Sequence, residues 1–135
     1  MSDTRFSRLN KARSRFILQR ALLWGKKDRE ELTTLAQGIP VALRSQGLVV
    51  LMARLIDNEK NSNAYTFLRM LFEWLKQGMP LSDFSCPKSL VLADFLEELV
   101  VMEQQVYLAF QAEAMAFVEQ AKLILKAVNS GKGGA

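Results

Sequence analysis

The stretch SNAYTFLRMLFEWLKQ, residues 62–77, decides how the rest of the chain is to be read. Between Ala64 and Leu75 only Thr66, Arg69 and Glu73 are polar. Carried outward, Ser62, Thr66, Arg69, Glu73 and Lys76 step by four, three, four and three, a single narrow stripe at the helical period. Every other face carries Tyr65, Phe67, Leu68, Met70, Leu71, Phe72, Trp74 or Leu75. A helix of this kind is enclosed by protein on most sides. In so small a chain, part of that surface is expected to be covered by another subunit.

Toward the C-terminus, Gly78 and Pro80 end this helix, and the segment to Pro87 reads as the one long loop. A further helix starts at Pro87 or Lys88 and reaches about Met102; the last covers roughly residues 103–128, with no breaker between the two. In the last helix Tyr107, Phe110, Ala114, Phe117, Ala121, Ile124 and Val128 form a seam of three-four spacing, widened by Leu108, Met115, Val118 and Leu125. Toward the N-terminus, residues 48–56 are apolar apart from Arg54 and predict a buried helix. Before it, a helix starting near Asp28 is expected to kink or break at Gly38-Ile39-Pro40, resume at Val41 and stop at Gly47. The first helix covers about residues 5–26, with Arg8, Lys11 and Arg15 on one side and Arg5 at its edge. Arg13 and Arg20 fall among its apolar residues, so each requires a carboxylate of another helix or a phosphate. The predicted fold is all-α, one bundle of about five to six helices over residues 1–128, with a flexible Gly-rich tail at 129–135.

Composition narrows the chemistry. Histidine is absent and Cys86 is the only thiol, which rules out Ser-His and Cys-His nucleophile pairs, zinc sites built on histidine and internal disulfides. No glycine-rich phosphate loop is present. Asp94 shares a helix face with Glu97 and with Glu98, though the two adjacent glutamates point about 100° apart; the trio is the one acidic group to weigh for a metal, but solvated acidic faces of this kind are routine. Asp57 and Glu59 beside Lys60 read as a surface turn. The expectation is no enzyme, no metal and no cofactor. The uncharged runs 32–43 and 45–53 are shorter than the roughly 18 apolar residues that span a bilayer, so no membrane partner and a cytoplasmic location are expected.

Charge is placed unevenly. The formal net charge is +4, but residues 1–29 hold nine Lys or Arg against Asp3 and Asp28, a net of +7, and the remainder is slightly acidic. A basic first helix suits a polyanionic partner and equally suits a merely solvated face.

The stretch LAQGIPVALRSQGL, residues 35–48, continuing to Lys60, resembles the small α-helical subunit of the Cmr (type III-B) CRISPR RNA-guided effector complex. In that family a proline within a helix is followed about seven residues later by Gly-Leu, and then by an apolar helix ending near a lysine; Pro40, Gly47, Leu48 and Lys60 match. An aromatic residue, then Glu-Ala, then apolar and basic residues recur in Tyr107, Glu113, Ala114, Phe117, Lys122 and Lys126. The family's phenylalanine-rich stretch is here Val49-Val50-Leu51-Met52-Ala53.

The resemblance implies a non-catalytic scaffold in antiviral defence. Copies stack head to tail along the effector complex, beside its other subunits, and support the duplex of guide RNA and target through backbone contacts. Sequence-independent binding of that kind requires Lys and Arg along one face. The candidates are Arg5, Arg8, Lys11, Arg13, Arg15 and Arg20 on the first helix, with Arg44, Lys60, Lys122 and Lys126. No aromatic platform interleaved with basic residues is visible in the sequence, so base reading falls to the guide. The rival reading is a helical protein–protein adaptor with no nucleic-acid contact.

Overall fold

A computed structural model describes residues 5–56, 62–76 and 92–134, with side chains for 8–56, 62–76 and 92–130. Five helices account for them: α1 (Arg5–Ala21), α2 (Lys26–Ile56), α3 (Asn63–Lys76), α4 (Leu92–Val101) and α5 (Gln104–Gly134). The fold is all-α, with no strand among the described residues. The predicted loop from Gly78 to Pro87, Cys86, the helix start at Pro87 or Lys88, and the turn at Asp57, Glu59 and Lys60 lie outside them.

α5 is the axis of the bundle. Contacts between Arg13 and Glu113 and between Ser14 and Gln120 set α1 parallel to it on one flank. Those between Arg44 and Glu119, Leu48 and Gln111, and Val49 and Tyr107 set α2 antiparallel to it on the other. α3 packs against α1, α2 and α5, and α4 against α2. The ring contacts Phe72–Phe95 and Phe95–Phe110 carry the core from α3 through α4 to α5. In α5 the predicted seam is buried at Phe110, Ala114, Phe117 and Ala121, joined by Val118 and Leu125. Leu108, assigned to the same face, is about half exposed instead.

α3 keeps the stripe read from its sequence. Ser62 Oγ accepts the Tyr65 amide at 3.1 Å, an N-cap that satisfies one of the free donors of the first turn. Phe67, Leu68, Met70, Leu71, Phe72, Trp74 and Leu75 are buried, while Thr66, Arg69, Glu73 and Lys76 stay half-exposed. The expectation that another subunit shares this cover is not needed: the chain's own helices bury these residues.

The break in α2 falls at Gly47, where the helix was expected to stop, and the kink expected at Gly38-Ile39-Pro40 is absent. The backbone stays helical through Gly38, Ile39 and Pro40, and the only non-helical dihedrals within α2 are at Gly47, φ 85° and ψ 166°. Proline's fixed φ near −65° is itself helical, so Pro40 costs a hydrogen bond without redirecting the chain. The Gly47 conformation is in a region essentially restricted to glycine. A Cβ there would lie 3.3 Å from Gln111 Oε1 and 3.4 Å from the Tyr107 hydroxyl. Those same atoms accept the Leu48 amide at 2.9 Å and the Val49 amide at 3.3 Å. Thus α5 caps the new helical start, which has no side-chain cap of its own.

Other boundaries shift as well. α1 stops at Ala21 rather than near Lys26, tightening through Leu23 N to Arg20 O and Trp24 N to Ala21 O before Gly25. The last two helices are separate, with Met102 and Glu103 between them. The stretch expected as a tail from Asn129 continues as helix to Gly134. Because Arg44 alone separates its two uncharged runs, α2, with 31 residues, is long and apolar enough by length and composition to cross a membrane. Here Leu32, Ala36, Ile39, Leu43, Leu48, Leu51, Met52 and Leu55 form core against α3, α4 and α5.

Candidate nucleic-acid interface

The basic residues of α1 divide by helical position. Arg13 is turned inward: its Nε and Nη2 donate to the two Glu113 carboxylate oxygens at 2.7 and 2.8 Å, and Nη1 donates to Asn10 Oδ1 at 2.6 Å. Trp74 Nε1 donates to Glu113 Oε2 at 2.9 Å. One carboxylate therefore joins α1, α3 and α5. Phe16, Trp74 and Phe117 surround it, with Trp74 and Phe117 stacked at 5.6 Å between centroids and Phe16 edge-on to both. Arg13 is thereby removed from the candidate phosphate contacts, since each of its three nitrogens already donates within the bundle and its side chain is 4 % exposed. The sequence required a partner for Arg13 without naming it. Glu113, part of the Glu-Ala motif, is that partner, and its role is to hold three helices together.

Arg8, Lys11 and Arg15 are exposed on α1, at spacings of three and four that keep them on one side. α1 contains no acidic residue at all, and none of these three makes an ion pair among the described residues. A second strip lies at the seam of α2 and α5. There Arg44 Nη2 reaches Glu119 at 3.3 Å, both side chains being well exposed. Lys122 and Lys126 follow Glu119 at three and seven residues along α5; Lys126 is exposed and Lys122 half-buried. In the register set by Arg13 and Glu113, the α1 strip runs beside the first half of α5 and the lysines stand farther along. Together they extend over about 27 Å at 1.5 Å per residue, most of one turn of a nucleic-acid duplex. Arg5 lies in the first turn of α1 with its side chain outside the described residues, and Lys60 lies outside them entirely.

Arg20 belongs to neither strip. It lies 120–180° around α1 from Arg8, Lys11 and Arg15 by helical position, with its guanidinium 4.5 Å from the Phe16 ring centroid. Beyond it is a groove lined by Arg20, Trp24, Thr66, Arg69, Met70 and Glu73, of about 470 Å³. Trp24 lines it together with one arginine from each of two helices. Separated by 45 residues of sequence from Arg69, this arrangement left no local signal.

Two apolar surfaces also emerge. Leu18, Leu22 and Leu23 are exposed at the end of α1, Leu23 to 80 %, and Leu123 is exposed one turn beyond the Gln120 contact. Val50, Val100, Val101 and Leu108 are exposed where α2, α4 and the start of α5 meet, Val101 to 76 %. Asp94, Glu97 and Glu98 are exposed on α4. Among the described residues no three acidic or Cys side chains gather at metal-holding distances.

Residues 9–128 fit the family model described as CRISPR-associated protein (Cas_Cmr5). No curated protein and no solved structure matched the chain.

Proposed function

Since the chain belongs to the Cas_Cmr5 family of CRISPR-associated proteins, we propose that it is the non-catalytic small subunit of a type III-B effector complex in the cytoplasm. Its copies stack head to tail, and the stack bears the guide RNA–target duplex through sequence-independent contacts to phosphate. The observation that carries this reading is the staggered pair of basic strips, Arg8, Lys11 and Arg15 on α1, a helix free of carboxylates, and Arg44, Lys122 and Lys126 along the α2–α5 seam. Such strips neutralise phosphates and release counterions, and they do not distinguish bases.

Stacking is supported by the two apolar surfaces. They are different patches, separated by about 22 Å along α5 from Leu108 to Leu123 at 1.5 Å per residue. Two unlike patches at opposite ends favour a heterologous contact, which repeats from copy to copy instead of closing as a symmetric pair.

Fluorescence anisotropy with a labelled RNA duplex at about 50 and 200 mM salt tests the duplex contact, because phosphate binding weakens steeply over that interval. The expected result is sequence-indifferent binding that falls with salt and falls again, at least tenfold, when Arg8, Lys11 and Arg15 are changed to Glu. Binding that ignores both salt and these changes would favour the rival adaptor reading.

A further inference from the structure

We propose that the groove between α1 and α3 is a site for one unpaired RNA nucleotide, with the base stacked on Trp24 and the phosphate held by Arg20 and Arg69. The inference rests on the nucleic-acid role proposed above, but it uses a different side of α1. A duplex lying on Arg8, Lys11 and Arg15 does not reach Arg20, which faces away from them by 120° or more. Bases inside an A-form duplex are also closed to side chains, whereas unpaired ones can be splayed out and stacked on aromatic rings.

The lining fits that occupant. The volume of about 470 Å³ lies within the roughly 300–1,000 Å³ of small-ligand sites. Trp24 is half-buried, so its ring is held by the core on one side while lining the groove with the rest. Arg20 is held over the Phe16 ring, and stacking engages only the plane of a guanidinium, leaving its N–H edge to meet a phosphate. Arg20 has no carboxylate partner among the described residues. Arg69 is 2.9 Å from Glu73, so the groove carries two cations against one anion. The Glu73 carboxylate remains able to accept a hydrogen bond from a ribose hydroxyl or an exocyclic amine. A purely ionic site has no use for the indole, and an apolar docking groove has none for two guanidiniums. A nucleotide uses both.

The test uses the full chain, with labelled oligouridylate and a blunt RNA duplex followed by anisotropy, and tryptophan emission followed in parallel. Trp74 is buried on Glu113, so the change in emission reports Trp24. The expected result is quenching by oligouridylate and not by the blunt duplex. Trp24→Ala and, separately, Arg20→Gln should weaken oligouridylate binding at least fivefold and leave duplex binding within twofold. The Arg20 variant leaves the core intact, so it decides the matter if Trp24→Ala fails to fold. The variant with Glu at positions 8, 11 and 15 should do the reverse: it loses the duplex and keeps the quenching. No quenching at saturating oligouridylate, or single-strand affinity unchanged in the Arg20 variant, overturns the groove proposal whatever the duplex does. Equal displacement by polyphosphate overturns base stacking, and equal quenching by polyglutamate overturns a nucleotide in favour of an acidic protein partner. Loss of duplex binding alone overturns only the duplex reading.

Discussion

Two Arg–Glu bridges reach α5 six residues apart, at Glu113 and Glu119, and they have little in common beyond their chemistry. Arg13 and Glu113 are closed off from water at 4 % and 5 % exposure, doubly bonded to each other and backed by Trp74. Arg44 and Glu119 are 63 % and 44 % exposed and meet through one contact of 3.3 Å. Burial removes from the first pair the alternative of pairing with water, so each charge depends on the other. Exposure leaves the second pair that alternative, so Arg44 gives up little on exchanging Glu119 for a phosphate. The two bridges teach that a basic residue's role here follows its side of the helix more than its charge.

The comparison is broken most directly at Glu113. Glu113→Ala strands the Arg13 guanidinium and the Trp74 N–H, and it should cost about 3–5 kcal/mol of stability, as for other buried pairs cut on one side. Chemical denaturation of the variant against the parent measures this, and a loss under about 1 kcal/mol would show the pair to be solvated after all. A smaller effect is expected at Gly47→Ala. The substitution forces a side chain into a glycine-only conformation and against Gln111 and Tyr107, and should cost about 1–3 kcal/mol. Pro40→Ala should cost nothing and stabilise slightly by restoring an amide donor in α2; if it destabilises as much as the glycine variant, the break has been assigned to the wrong residue. The smallest effect belongs to Glu119→Gln, expected within about 1 kcal/mol of the parent in stability. The same variant should bind an RNA duplex somewhat more tightly, since Arg44 loses its competitor; weaker binding would take the α2–α5 seam out of the interface.

Periodicity made most of this fold legible before any coordinates. The polar stripe of α3 and the seam of α5 are local patterns, repeated every turn, and they survive into the structure apart from Leu108. What stayed hidden depended on residues distant in sequence. Gly47 was legible as a helix end, but not that Tyr107 and Gln111 of another helix receive the amides beyond it, nor that Pro40, the stronger breaker by local rules, leaves α2 helical. Arg13 was legible as a charge in need of a partner, but choosing Glu113 over phosphate required the helix packing. The groove that Trp24 lines with Arg20 and Arg69 was invisible for the same reason: its parts come from the end of α1, the turn after it and α3. The exposed strip on α1 was the exception, because a run of Lys and Arg with no carboxylate is a local property.

The capping of residues 48 and 49 by α5 has a consequence for how the chain is made. Synthesis delivers Gly47 long before Gln111, which follows 64 positions later. At about 5–20 residues per second, the amides of Leu48 and Val49 wait roughly 3–13 s for their acceptors. Glu113 follows Arg13 by 100 residues and Trp74 by 39, so those partners wait as well. The early helices are therefore finished from behind, by a helix made well after them.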